Sequence, residues 1–94
     1  NILDLVLAHY GVELQVLLSS KKVITVGRAR QGGMYLARQL TPLSLTQIGT
    51  LFGGRDHTTV LYALKRIEEI LGTDSGLRSD IETIRSRLSV AHFH

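Results

Sequence analysis

The sequence of 94 residues has no cysteine, no tryptophan and a single proline. Without cysteine the chain cannot form a disulfide or a cysteine-based metal site, which suits a reducing compartment. It has no run of eighteen apolar residues, so no membrane-spanning helix is expected. The first ten residues, NILDLVLAHY, lack a basic region and a cleavage site and are not expected to be a signal peptide. The composition indicates one small domain in the cytoplasm.

Acidic residues are nearly absent from the middle of the chain. From Lys21 to Arg66 there are eight basic residues and one acid, Asp56, which gives this segment a net charge of +7. The rest of the chain has three basic and seven acidic residues, a net charge of −4. This polarisation favours a surface that faces a polyanion such as nucleic acid over chance clustering of charge.

Apolar residues recur at helical spacing along nearly the whole chain. The pattern predicts an all-α domain of five or six helices over residues 1–90, with 91–94 as a frayed tail or an addition to the domain. Residues 21–26 are expected in a connector, in which residues 24–26 could form a short strand but would have no partner strand. The last two long helices are expected from residue 56 to about 71 and from about 77 to 88. Besides Phe52 and Ile48, the inward-facing positions include Leu14, Leu17, Leu18, Met34, Leu36, Ala37, Leu40, Leu45, Leu51, Val60, Leu64, Ile67 and Leu71.

The third helix, expected from about Gly27 to Leu40, contains the pair Gly32-Gly33. Each glycine costs about 1 kcal/mol relative to alanine in a helix interior. The pair therefore predicts either a kink or a close approach by another helix.

Residues 44–71 have the outline of a helix-turn-helix. Ser44 and Gln47 are spaced as a capping box at the start of a short helix. Gly53-Gly54 ends that helix, because glycine tolerates the left-handed conformation. Asp56 is a suitable N-cap for the longer helix that follows.

The first turn of that second helix is polar, and in a helix-turn-helix this turn meets base edges in the major groove. Asp56 can accept from a cytosine amino group, while His57 and Thr58 can bond to bases or contact a thymine methyl. The hydroxyl of Thr59 can join the helix N-terminus in holding a phosphate. Taken singly, Asp56 is more simply a cap and His57 a surface residue. Their combination with a glycine turn and basic flanks favours DNA.

GGRDHTTVLYA, with VGRARQ, MYLARQLT and LSLTQIGTLF in order and spacing, resembles the C-terminal DNA-binding domain of the DnaA family of bacterial replication initiators. The resemblance covers about residues 1–89. It implies an all-helical domain with a helix-turn-helix related to that of the Trp repressor. It also implies binding to double-stranded DNA at DnaA boxes, nine-base-pair sites near TTATNCACA at the replication origin, by a cytoplasmic, nucleoid-associated protein. Other DnaA domains and protomers are implied as partners, with ATP hydrolysis in a preceding AAA+ domain.

The resemblance also implies roles for individual residues. Lys22 matches a basic residue that reaches the minor groove, and Leu45 and Thr46 match residues packed near bases. The residues expected to contact bases are Lys22, Leu45, Thr46, Asp56, His57 and Thr58. The residues expected to contact phosphates, from the resemblance or from their charge, are Arg28, Arg30, Gln31, Arg38, Arg55, Thr59, Lys65 and Arg66.

Three positions depart from the family pattern. Thr46 replaces a common proline, Gly32-Gly33 replaces bulkier residues, and Lys22 stands where arginine is frequent. Lysine keeps the charge of arginine but loses its planar fork, so weaker reading of the minor groove is expected.

The sequence leaves alternatives to DNA binding at an origin. A helix-turn-helix transcription regulator and a helical protein-interaction module remain alternatives. An enzyme is disfavoured, since Asp56, His57 and Thr58 on one helical turn cannot face one another as a catalytic triad. No GxxxxGK[ST] motif occurs and His57 has no second histidine at metal-ligand spacing, so neither nucleotide nor metal is expected as a cofactor.

Overall fold

The computed structural model describes residues 2–93, and the side chains of residues 2–88. This part of the chain contains six helices and no strand, which confirms the all-α prediction. The helices are α1 (Ile2–Tyr10), α2 (Leu14–Leu18), α3 (Ile24–Leu40), α4 (Leu45–Leu51), α5 (His57–Leu71) and α6 (Ser75–Phe93).

Helix α3 begins three residues earlier than predicted. Residues Ile24, Thr25 and Val26 are helical, so the prediction of a connector or short strand there was wrong. Val26 is buried at 6% exposure while Ile24 is 82% exposed, and the amide of Gly27 donates to the carbonyl of Val23 at 2.8 Å. Since residues 2–93 contain no strand that could pair with this segment, helical hydrogen bonds satisfy its backbone groups.

The core lies around α3, which packs against α1, α5, α2, α4 and α6. The predicted stripe of α5 is confirmed at Val60, Leu64 and Ile67, all buried. Ile48 and Phe52 anchor α4 in the same core, both fully buried. The motif's two helices are therefore fixed to one apolar centre.

Three leucines expected to face inward are exposed instead. Leu14, Leu40 and Leu51 are 45%, 42% and 40% exposed, respectively. Each is the first or last residue of its helix, where neighbouring helices cover one side only. The spacing of apolar residues predicts which side of a helix faces the core. It does not predict how far along the helix neighbouring helices cover that side.

The glycine pair in α3 permits close packing, and α3 continues through it as one helix. A Cβ atom placed on Gly33 would lie 2.7 Å from Cζ of Phe52, and one on Gly32 would lie 3.3 Å from Cδ1 of Ile81. The ring of Phe52 thus sits directly against the α3 backbone. Its burial offsets the conformational cost of the two glycines.

Helix α6 starts before the predicted residue 77, because Asp74 caps it. The amide of Leu77 donates to Oδ1 of Asp74 at 3.0 Å, while Nη2 of Arg28 donates to Oδ2 at 3.1 Å. The bond from the Leu77 amide and the nearby Arg28 charge lower the pKa of the Asp74 carboxyl. The helix continues through Phe93, so residues 91–93 of the predicted tail are helical, and His94 lies outside the described residues.

A polar clasp joins the first helix to the last. Nε2 of His9 lies 2.8 Å from Oδ1 of Asp80, and the hydroxyl of Tyr10 donates to Oδ2 of the same carboxylate at 3.1 Å. Burial, reinforced by the Asp80 charge and this hydrogen bond, raises the pKa of Tyr10. Tyr10 therefore stays a neutral donor, and α6 is held against α1.

Candidate nucleic-acid interface

The helix-turn-helix is built around the short helix α4 and a tight glycine turn. The capping box is confirmed, because the Gln47 amide donates to Oγ of Ser44 at 3.1 Å and the Ser44 amide donates to Oε1 of Gln47 at 2.8 Å. After α4 the chain turns at Gly53 and Gly54, with φ of 93° and 76°. These values explain why glycines occupy the turn.

Gly49, inside α4, is a structural requirement that the sequence reasoning missed. The Arg55 amide donates to the Gly49 carbonyl at 2.8 Å, which folds the turn back over the helix. A Cβ atom on Gly49 would lie 1.9 Å from the carbonyl oxygen of Arg55. A glycine inside a helix only seven residues long was the available signal, since an interior glycine often marks a close backbone approach.

The first turn of α5 presents four exposed polar side chains, those of Asp56, His57, Thr58 and Thr59. Asp56 occupies the N-cap position, but its side chain makes no capping hydrogen bond, so that part of the prediction was wrong. One carboxylate oxygen of Asp56 lies 2.9 Å from Nδ1 of His57 instead. With more than half of both side chains exposed, the pair faces outward from the domain.

The basic loop, residues 19–23 between α2 and α3, carries the exposed Lys21 and Lys22. Its backbone is held by the guanidinium of Arg30. Nε of Arg30 donates to the Leu17 carbonyl at 2.7 Å, and Nη1 donates to the Lys21 carbonyl at 2.6 Å. Nη2 donates to the carbonyls of Val16 and Ser19, at 3.0 and 2.6 Å. Arg30, expected on a phosphate, is thus engaged with the protein itself.

Arg55 is also engaged within the protein. Its Nη2 donates to the Ser19 carbonyl at 2.7 Å, and its Nη1 donates to the Phe52 carbonyl. Burial, followed by the charge of Arg55, lowers the pKa of Arg30. The two guanidiniums therefore meet at the end of α2.

The other long side chains predicted to contact phosphate lie on α3 and α5. Arg28, Gln31 and Arg66 line a groove of about 270 Å³ between α3 and α5, together with Ile24, Gly27 and Ile70. Arg28 forms an ion pair with Asp74, in which Nη2 lies 3.1 Å from Oδ2. The exposed Arg66 makes a longer contact, with Nη1 3.7 Å from Oε2 of Glu69. The exposed Arg38 donates to the Leu43 carbonyl at 3.4 Å. Lys65 is exposed on α5.

Leu45 and Thr46 begin α4 and differ in their exposure. Leu45 is partly buried against the core, whereas Thr46 is exposed and its carbonyl accepts from the Thr50 hydroxyl at 3.1 Å. The Thr46 side chain is therefore accessible to a partner, whereas the Leu45 side chain is only partly accessible.

Within residues 2–93, no helix is long and apolar enough to cross a membrane. No group of three histidine, aspartate or glutamate side chains in this same part of the chain is placed to hold a metal ion.

Comparison with known proteins gives the family. The family model described as "Bacterial dnaA protein helix-turn-helix" matches residues 1–67, which include the basic loop, α4 and most of α5. The chain belongs to this family. A DnaA helix-turn-helix domain binds DNA and is not a catalytic domain, which agrees with the residues exposed on α5.

Relatives named chromosomal replication initiator protein DnaA support the same assignment. The protein of Cereibacter sphaeroides is 48% identical over 80 residues, which are 85% of this chain and 18% of that protein. The protein of Caulobacter vibrioides is 51% identical over 80 residues, 85% of this chain and 16% of that protein. The protein of Brucella abortus is 47% identical over 81 residues, 86% of this chain and 16% of that protein. The chain thus spans less than a fifth of the length of these DnaA relatives.

Proposed function

We propose that this domain binds double-stranded DNA sequence-specifically at DnaA boxes near TTATNCACA, with contacts in both grooves. The observation that carries the proposal is the exposed polar first turn of α5, behind which Val60, Leu64 and Ile67 are buried. The buried stripe fixes the rotation of α5 about its axis. The polar turn therefore projects from the surface, as a recognition helix requires.

Major-groove reading is assigned to Asp56, His57 and Thr58. The Asp56 carboxylate accepts from a cytosine amino group, and the His57 ring and Thr58 side chain contact neighbouring base edges or a thymine methyl. The 2.9 Å contact between Asp56 and His57 limits how the ring can rotate before DNA arrives. Thr59 holds a phosphate at the helix N-terminus, where the helix dipole favours negative charge.

Minor-groove reading is assigned to Lys22, which is exposed on the basic loop. A lysine ammonium offers a point charge rather than a planar fork, so Lys22 contributes more affinity than base discrimination. Leu45 and Thr46, at the start of α4, lie beside the bases contacted by α5. The exposed Thr46 hydroxyl bonds a phosphate where a proline would make an apolar contact.

Phosphate contacts from Arg28, Gln31, Arg38, Lys65 and Arg66 set the register of the domain on the duplex. Such contacts add affinity without sequence information and make binding depend on salt. Arg66 and Lys65 are the most available of these, since both are exposed on α5.

In this proposal the domain is part of a longer DnaA protein, which is cytoplasmic and associated with the nucleoid. Box binding delivers that protein to the replication origin, where it acts with its other domains and with further protomers. ATP binding and hydrolysis belong to an AAA+ domain outside this chain, and box binding by the domain itself requires no cofactor.

The test is a fluorescence-anisotropy titration of labelled duplexes at moderate salt. The wild-type domain is expected to bind a DnaA box more tightly than a scrambled duplex of the same composition. His57→Ala should reduce that preference by about 1–3 kcal/mol, the value of a good base contact. Ser79→Ala, an exposed change on α6, is the control and should leave it unchanged. Equal affinity of the wild type for both duplexes would refute specific binding and favour a protein-interaction module. A preferred sequence unlike the DnaA box, in a randomised duplex pool, would favour a transcription regulator.

A further inference from the structure

We propose that Arg30 and Arg55 are positioning residues that lock the basic loop to the glycine turn of the helix-turn-helix. The loop and the first turn of α5 then meet DNA as one rigid unit. The inference rests on the proposed two-groove binding and gives these two arginines a role different from contacting phosphate.

The lock is centred on the carbonyl oxygen of Ser19. Nη2 of Arg30 donates to it at 2.6 Å and Nη2 of Arg55 donates to it at 2.7 Å. A carbonyl has two lone pairs, so it can accept both bonds. Arg30 comes from α3 and Arg55 from the turn before α5, so one atom of the loop joins both elements.

Arg30 also fixes the chain on both sides of Ser19. It donates to the carbonyls of Val16 and Leu17 at the end of α2, and the Val16 carbonyl also accepts from the amide and the hydroxyl of Ser19. It donates to the Lys21 carbonyl at 2.6 Å, which belongs to the peptide unit that enters Lys22. The guanidinium thereby sets the direction in which the Lys22 side chain leaves the loop.

The glycine turn touches the same segment through its backbone. A Cβ atom on Gly53 would lie 2.7 Å from the Leu18 carbonyl oxygen and 3.0 Å from Nη1 of Arg55. No side chain fits between the turn and the end of α2. The loop, the turn and the two guanidiniums are therefore one packed unit.

This arrangement argues against phosphate as the main partner of Arg30. Its three guanidinium nitrogens already make four hydrogen bonds at 2.6–3.0 Å. Only one of its five N–H donors is left, so a phosphate held by two parallel bonds would displace at least one of the four and loosen the loop that carries Lys22. The two guanidinium charges beside one carbonyl repel each other. The hydrogen bonds to Ser19 offset this repulsion.

The test replaces Arg30 by lysine, which keeps the charge but cannot bridge four carbonyls with one ammonium. If Arg30 holds the loop against the turn before α5, Arg30→Lys should loosen both and lower the ratio of box to scrambled affinity at least about five-fold. The salt slope should fall by no more than it falls in Lys22→Ala, because Lys22 is the only cation that loses its place on the DNA. Lys22→Ala should cost box affinity in the wild type but little in the Arg30→Lys background. Arg87→Lys, an exposed change on α6, is the matched control and should keep the wild-type ratio.

A phosphate contact by Arg30 predicts the opposite result. Arg30→Lys would then keep the box preference, and Arg30→Gln would weaken both duplexes alike while reducing the salt slope by about 0.9. That outcome would overturn the proposal. Thermal unfolding followed by circular dichroism shows whether each variant is folded. If Arg30→Lys does not fold, Arg55→Lys removes one of the two bonds to Ser19 and carries the same expectation for the ratio and the slope.

A measurement without DNA separates this inference from the proposed function. NMR order parameters of residues 20–23 report motion of the loop on the nanosecond timescale and below. They should fall in Arg30→Lys or Arg55→Lys and remain at the wild-type value in Arg87→Lys. Unchanged order parameters in both would overturn the lock even if the wild type binds DnaA boxes. A wild type that ignores the box sequence refutes the proposed function, and the order parameters still decide whether the arginines hold the loop.

Discussion

Replacing Gly49 by alanine should destabilise the domain, although alanine is the better helix former. The reason is the turn that folds back over α4. The new Cβ would lie 1.9 Å from the carbonyl oxygen of Arg55, whereas real Cβ contacts below 3.0 Å are essentially never seen. The turn must therefore move by about 1 Å or more, because the clashing atom belongs to the backbone and cannot rotate away.

The expected magnitude follows from three contributions. Overpacking costs about 1–3 kcal/mol. Loss of the 2.8 Å bond from the Arg55 amide to the Gly49 carbonyl adds about 1 kcal/mol. The better helix propensity of alanine returns about 1 kcal/mol. The net loss of unfolding free energy is about 1–3 kcal/mol, so a domain of ordinary stability still folds.

Gly27→Ala is the matched control, because Gly27 is also helical and nothing lies within 4 Å of its added Cβ. It should stabilise the domain by up to about 1 kcal/mol. Urea unfolding of the wild type and both variants, followed by circular dichroism, measures the two changes in unfolding free energy. Each 1 kcal/mol should also shift the melting temperature by about 4–8 °C. If Gly49→Ala were as stable as Gly27→Ala, the close approach of the turn to α4 would be wrong.

Three further predictions concern the caps and the charges. Asp74→Asn should destabilise the domain above pH 3.8, the ordinary pKa of the group, because the folded pKa is lower. This difference from the wild type should shrink as the pH falls through that lower pKa in thermal unfolding scans, and a constant difference would show that the charge is irrelevant. Ser44→Ala removes the capping bond from the Gln47 amide to Oγ of Ser44 and should cost about 1 kcal/mol in urea unfolding, whereas a cost no greater than that of Ser79→Ala would contradict the cap. Lys65→Ala should weaken binding to box and scrambled duplex alike and reduce the salt slope by about 0.9, while Arg87→Ala on α6 should leave the slope unchanged. A selective loss of box affinity in Lys65→Ala would instead assign Lys65 to base reading.

Much of the architecture was predictable from helical spacing and capping chemistry. Val60, Leu64 and Ile67 recur at a spacing that only a helix places on one side, and Ser44 with Gln47 marks a helix start. Both signals are local, so they can be recognised without knowing the tertiary structure. The outward direction of the first turn of α5 follows from the same stripe.

The roles of long and polar side chains were not predictable in the same way. Arg30 and Arg55 are charged and lie in a basic segment, and only the fold reveals that the end of α2 supplies their carbonyl acceptors. The Asp56 carboxylate had two partners close in sequence, the α5 backbone amides and the His57 ring, and local pattern does not rank them. Gly49 is a further case, because its clash partner at Arg55 approaches only after the turn has formed.

The clasp between α1 and α6 sets an order of events during synthesis. His9 and Tyr10 leave the ribosome before their shared partner Asp80, which follows some seventy residues later. A contact that distant in sequence closes late, because the intervening chain must be ordered first. Helix α1 is thus among the first parts of the domain to be made and among the last to finish packing. A nascent chain that stalls before residue 80 would leave α1 without its polar clasp, and the complete domain would assemble only after α6 emerges.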